Sequence, residues 1–313
     1  MSFRATLEAI SALDSAKVDG EKVAKVLKAS GVEHVESSVI QGEKGRTDFV
    51  RAVIPGTHGK TRGGNAPTLG VIGRLGGIGA RPEMIGLVSD GDGAVSAISV
   101  AIKLGDMAKK GDVLPGDVIV TTHICPNAPT QPHDPVPFMG SPVDMATMNK
   151  HEVDSEMDAI LSIDTTKGNK VINHKGFAIS PTVKEGYILR ISEDLLDIMS
   201  ITTGRLPVTF PITIQDITPY GNDLYHLNSI LQPAIATSSP CVGVAITTET
   251  AVPGCATGAS HVVDIEQVVR FVVEAAKNFG AGKCSFFDEE EFTRIVRLYG
   301  GMKHLQTLGR KKQ

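Results

Sequence analysis

Hydrophobic and polar residues alternate along this chain in two patterns, one with helical spacing and one typical of strands. Apolar residues three or four apart predict helices over residues 6–13, 19–28, 94–109, 143–156, 192–203, 223–231 and 263–279. Short apolar or alternating runs predict strands over residues 32–40, 48–54, 68–72, 118–123, 159–163, 208–215 and 239–247. Because strands and helices alternate from about residue 68 to 279, the pattern predicts an α/β fold of three layers. We expect a mostly parallel sheet with helices on both faces.

The chain gives no sign of division into separate domains. It contains no internal repeat, no low-complexity linker and no sharp change of composition. We therefore predict a single α/β domain over residues 1–313. Within it, residues 1–66 form N-terminal helices and strands, residues 67–282 form the core sheet with the site, and residues 283–313 form a helical tail.

Composition and charge narrow the classes of function. The 313 residues are 41% hydrophobic and 21% charged, with a formal net charge of -4, so no basic surface is expected for nucleic acid or an anionic membrane. Tryptophan is absent, which argues against a base-stacking surface. The four cysteines form no CxxC pair and no secretory signal is visible. We predict a reduced, cytoplasmic protein whose partner is a small molecule or peptide.

Candidate metal-binding residues fall at the ends of predicted strands and the starts of predicted helices. Asp90 precedes the helix at 94–109, His123 ends one strand, Asp164 ends the next, and His261 precedes the last long helix. The carboxyl ends of parallel strands share one edge of a sheet, so these groups can converge there. Carboxylate and imidazole together suit zinc, manganese or cobalt. Such a metal would activate water and polarise a carbonyl group.

Each of these residues also has a structural interpretation. Asp90 could cap the helix that follows, although Asp92 would supply the cap if Asp90 is a ligand. His123 could be a core histidine, and Asp164 could form a local Asx-turn. His261 could bond only to the backbone at its helix start. No two of these residues form a recognised short metal motif, so spacing alone leaves both interpretations open.

The order of the segments is similar to that of the co-catalytic zinc aminopeptidases and related metallo-exopeptidases. The matching segments are TLGVIGRLGGIG from Thr68, SDGDGAVSA from Ser89, AILSIDTT from Ala159, the Gly-Asn-Asp turn at Gly221, and SHVVDIEQ from Ser260. The resemblance implies a zinc-exopeptidase-like mixed sheet, with Asp90 as the bridging ligand and with Asp164 and His261 as later ligands. The whole chain also resembles a bacterial family known only as domain of unknown function number 1177, a name that adds no activity.

Two departures from the exopeptidase pattern change what the resemblance implies. Arg74 stands where the first histidine ligand is expected, and Thr122-His123, or alternatively His133-Asp134, stands where a Glu-Glu pair is expected. One metal site has therefore lost a ligand, while a second could survive on Asp90, His123 and His261, with Asp164. Asp134 or His133, from a proline-rich loop, could act as the general base. Arg74 could bind a substrate carboxylate, or form an ion pair with Asp90 or Asp164.

Three hypotheses of function follow from these residues. The first is a metal-dependent hydrolase of an amide bond in a small peptide-like or N-acyl substrate, with zinc as the expected metal. The alternative is a non-catalytic small-molecule or peptide-binding protein on an exopeptidase-like fold with a degraded metal site. The third is a nucleophilic enzyme that uses Cys125 with His123 or His133. The resemblance also implies a homo-oligomer.

Overall fold

The structure is a computed structural model that describes residues 1–74, 87–125, 128, 130–132, 134, 138–213, 224, 227–252 and 259–308. It contains seven α-helices within these ranges. They are α1 Ser2–Leu13, α2 Gly20–Ser30, α3 Asp92–Ala108, α4 Met145–Glu152, α5 Glu193–Thr203, α6 Val262–Gly280 and α7 Glu289–Tyr299. Among the described residues, every helix is too short or too polar to span a bilayer.

One mixed sheet of nine strands carries the fold. Its strands are β1 His34–Gly42, β2 Gly45–Ile54, β3 Leu69–Gly73, β4 Val118–Ile124, β7 Ala159–Thr166, β8 Gly176–Ile179, β9 Val183–Lys184, β10 Tyr187–Ile188 and β11 Cys241–Thr247. The order across the sheet is β1-β2-β4-β3-β7-β11-β9-β10, and β8 also pairs with β11. The short strands β5 Thr130–Gln131 and β6 Phe138–Met139 pair separately. The four central strands β4, β3, β7 and β11 are parallel, and antiparallel strands flank them on both sides.

The two faces of the sheet are covered by different helices. Side chains alternate along a strand, so odd-numbered residues of β7 such as Leu161 and Ile163 join the core formed with α1, α2, α3, α5 and α6. The even-numbered Ile160 faces the opposite way and packs with Ile230 and Leu231. Those two residues belong to a 3₁₀ helix, Ser229–Ile235, which with α4 covers that second face. The predicted three-layer α/β fold with helices on both faces is confirmed.

The start of α3 packs directly against the carboxyl ends of two central strands. A Cβ atom placed on Gly93 would lie 2.4 Å from the Arg74 carbonyl oxygen and 2.8 Å from that of Ile163. Only a glycine allows this approach, because a side chain would collide with both backbones. The close contact brings the residues just before and at the start of α3, including Asp90 and Asp92, to the carboxyl edge of the sheet.

Two predicted elements differ from the structure. The strand predicted over residues 208–215 is reduced, in its described part, to an isolated bridge between Thr209 and Ile179. The short helix predicted over residues 223–231 lies later in the chain, as the 3₁₀ helix Ser229–Ile235. Proline at position 233 lacks a backbone N–H and favours a short 3₁₀ segment over a regular α-helix.

Candidate functional site

Three of the candidate residues lie side by side at the carboxyl edge of the sheet. Gly73 of β3 pairs with Thr122 of β4 and with Ile163 of β7. The residues that follow, His123, Arg74 and Asp164, therefore occupy one row across three adjacent strands. The Arg74 backbone N–H donates to the Ile163 carbonyl at 2.7 Å, which fixes the arginine next to Asp164.

Glu152, at the last position of α4, joins two members of this row. Its Oε1 lies 2.7 Å from Nδ1 of His123, and its Oε2 accepts a hydrogen bond from Nη1 of Arg74. Arg74 Nη1 also donates to Oδ1 of Asn149 at 3.3 Å. All three charged or titratable side chains are at most 2% exposed. The arginine thus forms its ion pair with Glu152 and not with Asp90 or Asp164.

Glu152 is ionised in this arrangement. Burial opposes the charge of its carboxylate, but the positive charge of Arg74 and the hydrogen bond from His123 outweigh burial and lower its pKa. An ionised carboxylate accepts a hydrogen bond from Nδ1–H of His123, and in the imidazole tautomer that donates this bond the lone pair is on Nε2. This tautomer is the one in which His123 can accept a proton or bind a metal through Nε2.

A second buried ion pair ties the start of α3 to the end of β7. Lys167 Nζ donates to Asp92 Oδ2 at 2.8 Å, and the Ser260 hydroxyl donates to Asp92 Oδ1. Burial raises the pKa of Asp92, while Lys167, Ser260 and His261 act in the opposite direction. Asp92 therefore has its own cation and a hydroxyl from the segment that leads into α6.

Asp90 lies beside this pair without a cation of its own. Its Oδ2 accepts the backbone N–H of Met139 at 2.9 Å, and no helix N-cap bond is made by its side chain. Burial raises the pKa of Asp90 to about 6. The Met139 hydrogen bond and the charge of Lys167 oppose this shift, and the charge of Asp92 adds to it. The group is therefore a buried carboxyl that titrates close to neutral pH.

Asp164 has a similar environment on the neighbouring strand. Its Oδ1 accepts the Thr165 backbone N–H at 2.7 Å, whereas its fully buried Oδ2 has no hydrogen-bond partner in the described residues. Burial raises the pKa of Asp164 to about 7, against the hydrogen bond from Thr165 and the charge of Arg74. The negative charges of Asp90 and Glu152 raise it further. Asp90 is therefore close enough to Asp164 for its charge to act on that carboxyl.

His261 is the most accessible of the predicted metal ligands. It is the N-cap residue of α6, its side chain is 48% exposed, and its Nδ1 lies 3.4 Å from Oδ2 of the buried Asp264. That Asp264 oxygen makes no aligned hydrogen bond. The imidazole is near enough to Asp92 to favour the charged form of that carboxyl, so His261 lies on the Asp92 side of the site.

The remaining candidates, His133, Asp134 and Cys125, follow β4 in the sequence. His133 is outside the described residues, and Asp134 is exposed. Cys125 is buried against Val88 and Met139, and its thiol donates to the Arg46 carbonyl at 3.6 Å. A thiol held in this way points toward a backbone carbonyl, an orientation that does not favour a nucleophilic role.

The described residues hold no group of three His, Cys, Asp or Glu side chains close enough together to bind a metal ion. The order of the strands explains why two of the predicted ligands, His123 and Asp164, do not meet. His123 and Asp164 are on β4 and β7, with β3 between them, so their backbones are roughly 10 Å apart. Arg74 fills the intervening position. Of the carboxyls described at this edge of the sheet, Asp90 and Asp164 make no ion-pair contact, which is a partial fit for a metal.

Two important residues of this site were missed by sequence reasoning. Glu152 follows Met148 by four residues and so lies on the apolar stripe of α4, a position where an acidic residue indicates a buried partner. Lys167 follows Asp164 by three residues, and no periodicity or motif marks it. The first could have been found from the helix pattern; the second could not.

Comparison with known proteins gives the family of the chain. One of 173 matching chains of solved structures is the LapA aminopeptidase of Legionella pneumophila. It is 12% identical, with a TM-score of 0.47, and the match covers 92% of this chain and 71% of LapA. We base no assignment of residues on a likeness this distant. No curated protein sequence matches the chain. The family model described as "Protein of unknown function (DUF1177)" matches residues 38–309, so the chain belongs to the DUF1177 family.

Proposed function

We propose that this protein is a metal-dependent hydrolase that cleaves an amide bond in a small peptide-like or N-acyl substrate. The observation that supports it best is the charge balance at the carboxyl edge of the sheet. Arg74 forms an ion pair with Glu152 and Lys167 forms one with Asp92, while Asp90 and Asp164 are buried with raised pKa values and make no ion-pair contact. Buried titratable groups perturbed in this way are concentrated at functional sites.

Asp90 and Asp164 would hold the metal. Because the described residues form no preassembled group of three ligands, His261, which we propose as the third donor, would have to turn toward the two carboxyls when the metal binds. The unpartnered Asp164 Oδ2 and the 48% exposure of the His261 side chain favour this set. Zinc is the expected metal for such donors, with manganese or cobalt as substitutes. When bound, a metal of this kind supplies Lewis acidity at a substrate carbonyl. His123 is left out of the set, because β3 separates it from Asp164.

The other residues of the site have roles that depend on their own contacts. Arg74 and Lys167 form ion pairs with Glu152 and Asp92 and leave Asp90 and Asp164 to bind the cation. The role of Arg74 in binding a substrate carboxylate stays a prediction, and a substrate would have to compete with Glu152 and Asn149 for the guanidinium. Asp134, which is exposed on the loop after β4, and His133 stay the predicted general bases.

Metal content and turnover test this proposal. Protein purified without a chelating resin is analysed for bound zinc, manganese and cobalt. The thermal midpoint is then measured with each metal and with chelator. We expect about one metal per chain and a higher midpoint with metal, because a ligand that binds only the folded state stabilises it. Asp90→Asn and Asp164→Asn should abolish both effects, and Asp112→Asn, on the surface, should retain them.

Turnover is measured on aminoacyl p-nitroanilides and N-acetylated amino acids with the metal that gives the largest shift. Hydrolysis that disappears with chelator and returns with metal supports the hydrolase. Protein that neither contains metal nor gains stability from any of the three metals contradicts it.

A non-catalytic binding protein is the second candidate function. It is favoured by the two buried ion pairs, because Arg74 and Lys167 place permanent positive charges where a second metal ion would otherwise balance Glu152 and Asp92. Such a protein would bind its ligand with unchanged affinity in the presence of chelator. It would release no product from any amide substrate.

A further inference from the structure

A layer of buried polar side chains without partners lies between β7 and the 3₁₀ helix Ser229–Ile235. Ten buried side-chain nitrogen and oxygen atoms of the described residues lack a hydrogen-bond partner, and eight of them belong to this layer. We call the six side chains that carry these eight atoms the polar layer: Ser162, Asp164, Thr166, Asn228, Ser229 and Gln232. Folded proteins leave few such atoms unpaired, and a concentration of them is typical of places that hold water, an ion or a ligand.

The strand side of the polar layer is fixed by the alternation of β7. Ile160 packs against Ile230 of the 3₁₀ helix, so Ser162, Asp164 and Thr166, which share its parity, face the same way. Gly243 of β11 pairs with Ser162, and a Cβ atom placed on it would lie 3.3 Å from Cγ2 of Ile230. The 3₁₀ helix therefore lies directly over the strands at the level of Ser162.

The helix side of the polar layer follows from three-residue periodicity. Ser229 and Gln232 are three apart and so lie on one face of a 3₁₀ helix, and Asn228 is its N-cap residue. Both atoms of the Asn228 amide and both atoms of the Gln232 amide are unpartnered. The Gln232 backbone carbonyl accepts Nδ2 of Asn149, whose Oδ1 accepts from Arg74. This chain of bonds connects the helix to the row that contains Asp164.

The chemistry of the polar layer is that of a site for a neutral group that both donates and accepts hydrogen bonds. Two side-chain amides and three hydroxyls provide donors and acceptors, and Asp164 is the only acid among them. A carboxamide or peptide group matches two amides in a way that a carboxylate, which only accepts, does not. Thr166 is the last residue of β7, so the layer extends to the carboxyl edge where the proposed reaction takes place.

We infer that the polar layer between β7 and the 3₁₀ helix binds a neutral carboxamide or peptide group of the ligand. This inference names the substrate class of the proposed hydrolase and in that sense rests on it. Recognition by these side chains needs neither a metal nor turnover, so the two ideas can be tested separately.

The test is direct binding of small probes to the metal-free protein in chelator. N-acetylglycinamide and propionamide are titrated by calorimetry and by thermal shift, with propionate and glycerol as the charged and polyol comparisons. We expect both amides to bind and to raise the thermal midpoint, and propionate and glycerol to have no effect at equal concentration. Gln232→Met and Ser162→Ala, one from each side of the layer, should weaken amide binding at least tenfold. Gln41→Met, the same change at an exposed position, should leave it unchanged.

The stability of the free variants provides a second measurement. Replacing an unpartnered amide by an apolar side chain of similar shape is neutral or stabilising, so Gln232→Met should fold with a thermal midpoint equal to or above that of the wild type. Wild-type protein that binds neither amide, or a Gln232→Met midpoint well below the wild type without loss of amide binding, would overturn the inference in favour of buried water. Amide binding without metal binding or hydrolysis would leave the inference standing while the proposed hydrolase fails.

Discussion

At the residue scale, one carboxylate holds two other buried side chains in place. Glu152 bonds to both Arg74 and His123, and no member of the group is more than 2% exposed. A buried ion pair gains little net stability over apolar residues, but removal of one partner leaves the other charge without compensation. Removing the charge of Glu152 should therefore destabilise the folded protein much more than removing the charge of a surface acid.

Glu152→Gln should destabilise the protein by about 3 to 5 kcal/mol, because Arg74 would keep its charge in a buried environment with no counter-ion. Urea unfolding followed by circular dichroism measures the change. The matched control is Glu291→Gln, which removes a charge from a surface contact with Arg190 and should leave the unfolding midpoint unchanged. Equal midpoints for the two variants would contradict the assignment of a buried ion pair.

The pKa of Asp164 gives a prediction for the pH dependence of stability. Its pKa is raised from 3.8 to about 7 in the folded protein, so the folded state binds this proton more tightly than the unfolded chain does. Between about pH 4 and pH 7, unfolding therefore releases the proton, and the free energy of unfolding falls as the pH rises, by at most about 1.4 kcal/mol per pH unit for one group.

Unfolding by urea at pH 4.5, 5.5, 6.5 and 7.5, with chelator present, measures this dependence. Asp164→Asn should lose part of the decline that the wild type shows across this range, because asparagine does not titrate. The decline that is left below about pH 6 comes from Asp90, whose pKa is also raised. Asp112→Asn, at an exposed position, should follow the wild type. Wild-type and Asp164→Asn curves that stay parallel would show that Asp164 is ionised throughout.

At the element scale, the site depends on the close packing of α3 against the ends of β3 and β7. Gly93→Ala should destabilise the protein by about 1 to 3 kcal/mol, because its Cβ would overlap the carbonyl oxygens of Arg74 and Ile163 and force the helix away from the strands. Thermal unfolding measures the loss. Gly301→Ala is the control, since a Cβ there meets no atom within 4 Å. A Gly93→Ala protein as stable as Gly301→Ala would mean that α3 moves freely at this contact.

Elements were predicted well where their own pattern determines them. Two helices, α3 and α6, and two strands, β4 and β7, lie within a few residues of their predicted positions. In each of them, the spacing of apolar residues within the segment identifies the buried face. The segment around residue 209 was predicted as a strand, but a run of β-branched residues does not reveal whether a neighbouring strand is available for pairing.

At the scale of the whole molecule, the order of the strands decides which candidate residues meet. The sequence predicted that His123 and Asp164 end strands, and the structure places both of them in one row with Arg74. The sequence does not reveal that β3 separates β4 from β7, because strand order is set by packing between distant segments. The expected homo-oligomer stays a prediction; the outer edge of β1 pairs with no other strand in the described part of the chain.

The central position of β3 also has a consequence for folding during synthesis on the ribosome. Its two neighbours, Val118–Ile124 and Ala159–Thr166, are translated later, and so is Glu152, which compensates Arg74. A nascent chain that ends before these segments would expose an unpaired apolar strand and a lone guanidinium. Since contacts between distant segments form slowly, we expect the sheet to consolidate only after most of the chain has left the ribosome. Until then, a chaperone that shields apolar strands would have β3 as a natural target.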